Sequence, residues 1–460
     1  MCPLQGYKVV EIERRLNTGS RWLVLACLLT LPVFAQVQPD WTAIKSEIEA
    51  IRVLHNLPSI GYSLAVADSI AAADAVGFVN IDVGEEANAD TPYMLASISK
   101  TYTATALLQL IEGGSLSLGD RVNDHLPWEF DNPRVDGETV RVSHIVTHTS
   151  GIRDADIYGS PGSGDLYFFG DSPISLHEIM TGYFIPGGQW YSDNANFRAR
   201  GPGEEYRYSN FASALAGYLV ESVSGTALRD HSIANLFNPL GMLNTGWELA
   251  DFADTSKIAM PYYGNGDPIG HFSYPDYPSG QLRTSPNDVG IYMAMLLGGG
   301  QPAGGLRVLQ PETVDLGFDD VFVDHADQGV MWYSEYNYGE RNACHAGSDF
   351  GVSTELCLML ESGLGFAVFV NSSSDQAFTA IYKVRDLLFD QGQLLLGNLP
   401  TPLPSAPPAL ASGGGGQPSL LFLFLLFAVT LPRCQFGDIA FRRKYDIPHA
   451  ERGCRKQRHR

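Results

Sequence analysis

Basic side chains are scarce in the central part of this 460-residue sequence. Of the 30 lysines and arginines, 13 lie in residues 1–36 and 433–460, which leaves 17 between them. Only 5 of the 51 aspartates and glutamates lie in those two end segments, so the central part keeps 46 and a formal charge of about −29. Such a surface repels nucleic acid and anionic lipid headgroups, so neither is an expected partner of the folded region.

Cysteine is also scarce in this part of the chain. Of the six cysteines, only Cys344 and Cys357 fall between residues 37 and 432. A hairpin that turned around the segment GSDFG, residues 347–351, would place these two cysteines opposite one another. In an exported chain this arrangement predicts a disulfide, and the alternative is a pair of small core residues.

Two apolar runs near the chain ends are shorter than the roughly 20 residues that a membrane-spanning helix needs. The first, residues 22–35, follows three arginines and ends at Val-x-Ala, so we predict a signal peptide over residues 1–35. The alternative is a retained N-terminal anchor. A domain at residues 37–400 would then be exported to the periplasm or the cell surface of a bacterium.

The second apolar run, residues 420–432, follows a Pro/Ala/Gly/Ser linker at residues 401–419 and precedes a basic tail at residues 433–460. This order of segments resembles bacterial glycine-rich C-terminal sorting tails. It predicts a short transmembrane or sorting segment, which is where we expect any membrane contact.

Strand and helix patterns divide the domain into three parts. A helix starting near Trp41 precedes two strand-like runs, IGYSLAVA and AVGFVNID, which predict a hairpin. Helices and long loops then dominate to about residue 275. Strands return at VMWYS, ACHAG, STELCLML and GFAVFVN, before a helix at residues 378–389. The pattern predicts an α+β fold: an antiparallel sheet built from both ends of the domain and flanked by helices, with an inserted helical lobe and a cleft between.

A lysine shares the apolar face of the helix predicted at residues 95–114. Wound at 100° per residue, one arc of this helix holds Ser97, Lys100, Ala104, Leu107, Leu108 and Ile111. Burial of an ammonium is costly unless it has partners or loses its proton. A neutral lysine one turn after a serine can take the hydroxyl proton and make the serine a nucleophile. Alone, Ser-x-x-Lys is a weak signal, and the alternative is a lysine that extends to solvent.

Two more motifs follow far downstream, Tyr208-Ser209-Asn210 and His345-Ala346-Gly347. Ser-x-x-Lys, a polar triplet and a strand triplet ending in glycine, in this order, resemble the signature set of penicillin-recognising serine hydrolases. The segments SISKTYTATALLQL, VRVSHIVTHTSGI and SGQLRTSPNDVGIYMAMLL are similar to blocks of the same superfamily. The resemblance spans residues 41–392, and it is greatest to the branch of class C β-lactamases, D-alanyl-D-alanine carboxypeptidases and family VIII esterases.

The resemblance implies a serine hydrolase that forms an acyl-enzyme with a D-amino-acid peptide, a β-lactam or a small ester, without a cofactor. Ser97 would be the nucleophile, and Lys100 would accept its proton or lower the pKa of Tyr208. Tyr208 would be a partly ionised phenol that relays protons. The alternative is a surface binding or sensing protein that keeps the fold and is acylated slowly or not at all.

Four residues are implied to bind the substrate: Asn210, His345, Gly347 and Ser348. Asn210 would bond to the substrate amide and to the lysine, Gly347 would let the substrate backbone lie along its strand, and the amides of Ser348 and Ser97 would form an oxyanion hole. His345 stands where many relatives carry lysine. A histidine is only partly charged near neutral pH, so strong β-lactamase activity is not expected.

Other candidate sites have weaker support. No G-x-S-x-G elbow occurs, so an ordinary α/β-hydrolase nucleophile is missing. His144 and His148 are four residues apart, as in a helical zinc pair, but no glutamate lies between them, and we predict no metal site. The aromatic-rich stretch at residues 165–193 either lines the rim of the cleft or packs a long loop onto the helical lobe.

Overall fold

The computed structural model describes residues 38–161, 163, 166–319 and 328–398. The segments predicted as signal peptide, linker, apolar run and basic tail lie outside these residues. Internal contacts divide the chain into Met1–Pro400 and Thr401–Arg460, and every described residue belongs to the first unit. Within the described ranges, no helix has both the length and the apolar character that crossing a membrane requires.

The strands of the described residues form one main antiparallel sheet and two small ladders. In chain order the strands are β1 (Ser59–Val66), β2 (Ser69–Asn80), β3 (Glu85–Glu86), β4 (Tyr93–Met94), β5 (Phe168–Phe169), β6 (Phe272–Ser273), β7 (Arg283–Thr284), β8 (Tyr333–Asn337), β9 (Glu340–Asp349), β10 (Val352–Met359) and β11 (Leu364–Val370). The main sheet has the order β3-β2-β1-β11-β10-β9-β8. Because β1 pairs with both β2 and β11, the two ends of the domain share one sheet, which confirms the predicted α+β class.

The helices lie mainly between β2 and β8 in the sequence, with one more at each end of the domain. They are α1 (Trp41–Leu54), α2 (Ser99–Glu112), α3 (Val142–Val146), α4 (Leu176–Phe184), α5 (Asp193–Asn196), α6 (Asn210–Ser224), α7 (Leu228–Ser232), α8 (Asn238–Leu240), α9 (Pro286–Leu297), α10 (Pro311–Phe318) and α11 (Ala377–Asn398). Side-chain caps begin several of them. Ser285 Oγ, for example, accepts the Asp288 N–H at 3.2 Å ahead of Pro286 in the first turn of α9.

Alternating residues of the sheet serve two hydrophobic cores. In β11, Phe366 and Val368 pack with α1 and α11 on one face. Ala367 and Phe369 point to the other face, where they join α9 and the helical lobe. All of β11 is buried, since both faces of this central strand are covered.

Helix α2 is buried on all sides rather than along the stripe that its sequence predicts. Every residue from Ser99 to Leu108 is buried. The helix packs against α6, α7 and α10, so its buried threonine hydroxyls bond to backbone carbonyls: Thr103 Oγ1 donates to Pro278 O at 2.9 Å, and Thr105 Oγ1 donates to Thr101 O at 3.0 Å. The regular helix also begins at Ser99, two residues after Ser97.

The predicted strand VMWYS is only partly a strand, because β8 begins at Tyr333. The Val330 N–H donates to Gly317 O at 2.9 Å, and the Met331 N–H donates to Val146 O at 3.0 Å. These residues therefore join α10 and α3 to the core instead of extending the sheet.

Candidate active site

Ser97 lies in a short 3-10 turn, Ala96–Ile98, directly before α2. Ala96 has a φ of 48°, a left-handed conformation that is unfavourable for a residue with a Cβ. The Ser97 hydroxyl accepts two hydrogen bonds, from Lys100 Nζ at 3.1 Å and from Tyr208 OH at 2.8 Å. The three groups that sequence analysis assigned to catalysis thus meet at one oxygen atom.

The Lys100 side chain is fully buried and has three hydrogen-bond acceptors. Besides Ser97 Oγ, these are Asn210 Oδ1 at 2.8 Å and Ser279 O at 2.5 Å. Burial lowers the pKa of Lys100 to about 7, against the attraction of the carboxylates of Asp154, Asp276 and Asp349. Near neutral pH the lysine therefore populates both a neutral form that can accept a proton and a charged form that can return it.

Tyr208 differs from its predicted state. As a residue it is 37% exposed, but burial of its hydroxyl raises its pKa above the usual value. The bond to Ser97 and the Lys100 ammonium, 4.8 Å from the ring centre, do not reverse that effect. The phenol is neutral rather than partly ionised, because desolvation outweighs the attraction of a single cation.

The start of α6 fixes the Tyr208-Ser209-Asn210 triplet. Asp154 Oδ1 accepts the Ser209 hydroxyl at 2.7 Å and the Phe211 N–H at 3.1 Å, and its Oδ2 accepts the Asn210 N–H at 2.8 Å. A carboxylate there satisfies free N–H groups and favours the helix dipole. Sequence analysis missed Asp154, because no local pattern links it to a helix start more than 50 residues away.

His148 contacts the same triplet and the residue before it through its ring and its backbone carbonyl. Its ring lies 4.6 Å from the Tyr208 ring, its Nδ1 accepts the Ser209 N–H at 3.2 Å, and its carbonyl accepts the Arg207 N–H at 2.7 Å. Burial, with Lys100 and His345 nearby, lowers the pKa of His148 well below its usual value, so Nδ1 keeps its lone pair. Of the two histidines with the spacing of a zinc pair, His148 thus has a positioning role. His144 Nδ1 instead accepts the Arg141 N–H at 3.1 Å.

His345 lies on β9 and is 4% exposed. Burial, and secondarily the nearby Lys100, lowers the pKa of His345 to about 3. Its Nδ1 lies 2.8 Å from Ala346 O, a contact that requires a proton on that nitrogen. The expectation of a partly charged histidine is wrong for this site, since the buried imidazole beside a lysine stays neutral.

Gly347 brings β9 against the turn that carries Ser97. A Cβ at this position would overlap Thr354 Oγ1 and Leu95 O. We expected the glycine to make room for substrate, and the structure shows that it makes room for the protein's own backbone. Strand β8 pairs with residues 340–344 only, so among described residues the β9 edge from His345 past Ser348 has no strand partner on that side. Ser348 is exposed at this edge.

Two acids that the sequence did not single out, Asp276 and Asp349, lie near enough to Lys100 to raise its pKa, and both bind tyrosines. Asp276 Oδ2 accepts the Tyr158 hydroxyl at 2.5 Å and the Ser279 hydroxyl at 2.9 Å, and Asp349 Oδ1 accepts the Tyr167 hydroxyl at 3.0 Å. Burial raises the pKa of each of the two carboxyls to about 6. In the aromatic stretch, Tyr167 packs against the small cluster that contains Phe272 and Tyr274, whereas Tyr183, Phe184, Trp190 and Tyr191 pack in the main hydrophobic core.

The predicted disulfide joins Cys344 and Cys357 on neighbouring strands. The two residues lie directly opposite in the β9–β10 ladder, with Cα atoms 4.1 Å apart, and the hairpin turns at Gly351, whose φ is 69°. The disulfide is buried, and Cys344 precedes His345 in the sequence. It therefore cross-links β9, the strand that carries His345, to β10. In the part of the chain that the structure describes, no cluster of three or more His, Cys, Asp or Glu side chains is arranged to hold a metal ion.

Comparison with known proteins agrees with this geometry. Residues 48–389 match the family model described as Beta-lactamase. Protein flp of Staphylococcus aureus (strain NCTC 8325 / PS 47) is 26% identical over 218 residues, covering 46% of this chain and 40% of that protein. Penicillin-binding protein 4 of Amycolatopsis lactamdurans is 28% identical over 223 residues, covering 48% and 52%. The match thus spans about half the length of these curated relatives.

Solved structures show the same fold at low sequence identity. The penicillin-binding protein homologue from Pyrococcus abyssi has a TM-score of 0.60 at 24% identity, over 76% of this chain and 78% of that one. The D-amino acid amidase from Ochrobactrum anthropi SV3 has a TM-score of 0.60 at 18% identity, over 76% and 98%. With a family model that covers about three quarters of its length, the chain belongs to the Beta-lactamase family.

Proposed function

We propose that this protein is an exported serine hydrolase that cleaves an amide or ester through an acyl-enzyme on Ser97. The observation that carries the proposal is the convergence of Lys100 Nζ and Tyr208 OH on Ser97 Oγ. A serine hydroxyl needs such a proton acceptor to become a nucleophile. Structural neighbours include an amidase and a hydrolase with acyltransferase activity, and this chemistry suits an acyl-enzyme.

The proton path follows from the pKa values. Neutral Lys100 takes the Ser97 proton while Oγ attacks the carbonyl carbon, and the amides of Ser97 and Ser348 stabilise the resulting oxyanion. Tyr208, a neutral phenol, gives its proton to the leaving nitrogen or oxygen as that bond breaks. The acylated Oγ carries no proton to relay, so the proton on Lys100, whose Nζ lies 4.8 Å from the centre of the Tyr208 ring, returns to the tyrosinate directly or through a solvent water. Water attacks the acyl-enzyme by the reverse sequence, which releases an acid and restores Ser97.

The neutral state of His345 narrows the substrate class. A buried imidazole with Nδ1 bonded to Ala346 O offers no positive charge on β9 to hold a carboxylate. β-Lactams and peptides with a free C-terminus carry such a carboxylate, so D-amino-acid amides and small esters without one are the favoured substrates. Export is supported by the buried Cys344–Cys357 disulfide, a bond typical of oxidising compartments, and by the N-terminal sequence pattern.

Covalent labelling tests this proposal. We expect a fluorescent fluorophosphonate to label the protein and p-nitrophenyl acetate to be hydrolysed, with both signals lost in Ser97→Ala. With Lys100 as the base, kcat/KM should rise about tenfold per pH unit below about pH 7 and level off above it. Label that persists in Ser97→Ala would contradict an acyl-enzyme on Ser97. Unlabelled protein would contradict it too, and would favour a binding or sensing protein.

A further inference from the structure

Lys100 is bound by a backbone carbonyl that belongs to a short 3-10 turn, Tyr277–Ser279. Ser279 O accepts Lys100 Nζ at 2.5 Å, the shortest of the three hydrogen bonds of this amine. Because Lys100 is fully buried, its protonated form depends on such acceptors in place of water. Whatever fixes Ser279 therefore acts on the proton acceptor of Ser97.

The turn and the residues after it are attached at two points to α2, the helix that carries Lys100. Thr103 Oγ1 donates to Pro278 O at 2.9 Å, and the Leu282 N–H donates to Ser99 Oγ at 3.0 Å. Pro278 also packs so closely on α6 that a Cβ at Gly217 would lie 2.5 Å from its ring. The packing of both helices thus holds the Ser279 carbonyl against the lysine.

Asp276 directly precedes the turn and is fully buried. It binds Ser279 twice: Asp276 O accepts the Ser279 N–H at 2.9 Å, and Oδ2 accepts the Ser279 hydroxyl at 2.9 Å. The Tyr158 hydroxyl donates to the same Oδ2 at 2.5 Å. Oδ1 accepts no hydrogen bond from any other described residue, and no basic side chain of the described ranges forms an ion pair with this carboxyl group.

The charge of Asp276 is not needed for these contacts. An asparagine oxygen would accept the same two hydroxyl groups, and a buried carboxylate without an ion pair costs free energy. The carboxylate of Asp154 differs, since it caps α6. A buried negative charge that the fold does not require indicates a role in the chemistry of the site.

Titratable groups face Lys100 and Asp276 from several elements. Those around Lys100 are Asp154 before α6, Asp276, Asp349 on β9, and the neutral His148, His345 and Tyr208. Those around Asp276 are Lys100, Asp154, Asp349, Tyr158, Tyr167, Tyr183 and Tyr274. Within these two sets, Lys100 is the one group that can carry a positive charge near neutral pH, so the charge of Asp276 acts chiefly on this lysine.

We propose that Asp276 is a positioning residue: it holds the Ser279 carbonyl on Lys100, and its negative charge stabilises this lysine while it carries the Ser97 proton. The proposal rests on the proposed function. As Oγ bonds to the carbonyl carbon, its proton passes to Nζ, and the carbonyl electron pair moves to the oxyanion. The lysine is then a buried ammonium, and a carboxylate near it lowers the free energy of this intermediate. The same attraction opposes the burial that lowers the pKa of Lys100 to about 7.

Asp276→Asn tests the proposal, because it removes the charge and keeps an oxygen for the two hydroxyl groups. In hydrolysis of p-nitrophenyl acetate, the pH at which kcat/KM reaches half its plateau should fall by about one unit, since an ammonium without this attraction loses its proton more readily. The plateau should fall about tenfold, because the free lysine is then a weaker base. A structural role alone would lower the plateau and leave the midpoint unchanged, and that result would overturn the proposal.

Asp288→Asn is the matched control. Asp288, on α9, is also buried, and burial raises the pKa of this carboxyl and of Asp276 to about 6. It accepts the Asn244 N–H at 2.7 Å and the Thr245 hydroxyl at 2.8 Å, and it is not among the acids that attract Lys100. The midpoint should therefore stay near pH 7 in this variant. An equal shift in both variants would contradict a specific effect of Asp276.

Tyr158→Phe decides the question if Asp276→Asn does not fold. It removes the shorter of the two hydroxyl bonds to Asp276 Oδ2, so the carboxyl group ionises less readily. The midpoint should then fall by about half a unit, in the same direction as in Asp276→Asn. An unchanged midpoint in Tyr158→Phe would overturn the proposal.

Failure of this proposal can be separated from failure of the proposed function. The NMR chemical shift of Lys100 Cε, in protein that contains lysine labelled with carbon-13 at Cε, follows the protonation of this lysine without catalysis, and comparison with Lys100→Met assigns the signal. A titration midpoint about one unit lower in Asp276→Asn would support the effect of the charge even if no ester is hydrolysed. Equal midpoints in a protein that hydrolyses the ester would remove the role of Asp276 and leave the hydrolase intact.

Discussion

Replacing Lys100 with methionine should change how the stability of the protein depends on pH. The folded state lowers the pKa of this lysine from 10.5 to about 7. Between these values the unfolded chain binds a proton that the folded chain does not, so stability rises with pH across this window. The loss of stability that results from the lowered pKa of Lys100 is complete below about pH 7 and disappears as the pH approaches 10.5. It amounts to about 5 kcal/mol, from roughly 1.4 kcal/mol per pKa unit.

The variant also loses contacts whose cost does not depend on pH. Without the ammonium, Asn210 Oδ1 and Ser279 O lose a donor, at about 1–3 kcal/mol each. The two effects oppose one another at neutral pH, so a stability measured at one pH is not informative. The difference in unfolding free energy, unaltered protein minus Lys100→Met, should instead increase by about 2 kcal/mol from about pH 7 to about pH 9.

Urea unfolding followed by tryptophan fluorescence measures this difference at each pH with the disulfide intact. Lys383→Met serves as the control, because that exposed lysine contacts His55 and lies on α11, outside the site. Its difference curve should stay level over the same range. A level curve for Lys100→Met as well would refute the argument, because it would mean that Lys100 keeps its proton in the folded protein.

Three further predictions concern the residues that support the site. His148→Phe should lower kcat for p-nitrophenyl acetate about tenfold, because a ring remains but the acceptor of the Ser209 N–H is lost. His148→Asn, which restores an acceptor, should recover part of this loss. An unchanged kcat in His148→Phe would contradict a positioning role. Gly347→Ala should abolish fluorophosphonate labelling, since the added Cβ would overlap Leu95 O, and normal labelling would show that β9 can shift without cost. In oxidising buffer, Cys344→Ala/Cys357→Ala should have a free energy of unfolding about 2–3 kcal/mol lower than the unaltered protein, and dithiothreitol should not lower it further. If dithiothreitol does not change the free energy of unfolding of the unaltered protein, this prediction is contradicted.

Local patterns were enough to predict much of the framework. Alternating apolar residues identified β1, β10 and β11, and the positions of Cys344 and Cys357 on either side of a turn in GSDFG predicted their pairing. These features depend on neighbours in the sequence, where strand periodicity and turn residues act directly. The first residues of α2 and β8 were less predictable, because they depend on long-range backbone hydrogen bonds such as Met331 N–H to Val146 O.

The sequence by itself determined which groups are present: a serine and a lysine one turn apart, the triplets at residues 208–210 and 345–347, and two cysteines at hairpin spacing. Tertiary structure decided their chemical state. Burial makes Lys100 a base near pH 7, keeps the Tyr208 phenol protonated and leaves His345 neutral, contrary to two of the expectations from sequence. Desolvation depends on everything packed around a group, and no local pattern encodes it.

Tertiary structure also decided which distant residues share the site. Asp154 and His148 reach the start of α6 from more than 50 residues away. Spacing in the sequence carries no information about such meetings, because they arise when the sheet and the helical lobe pack together. The residue types that can perform the chemistry are therefore visible in the sequence, whereas their charge and orientation follow from the packing alone.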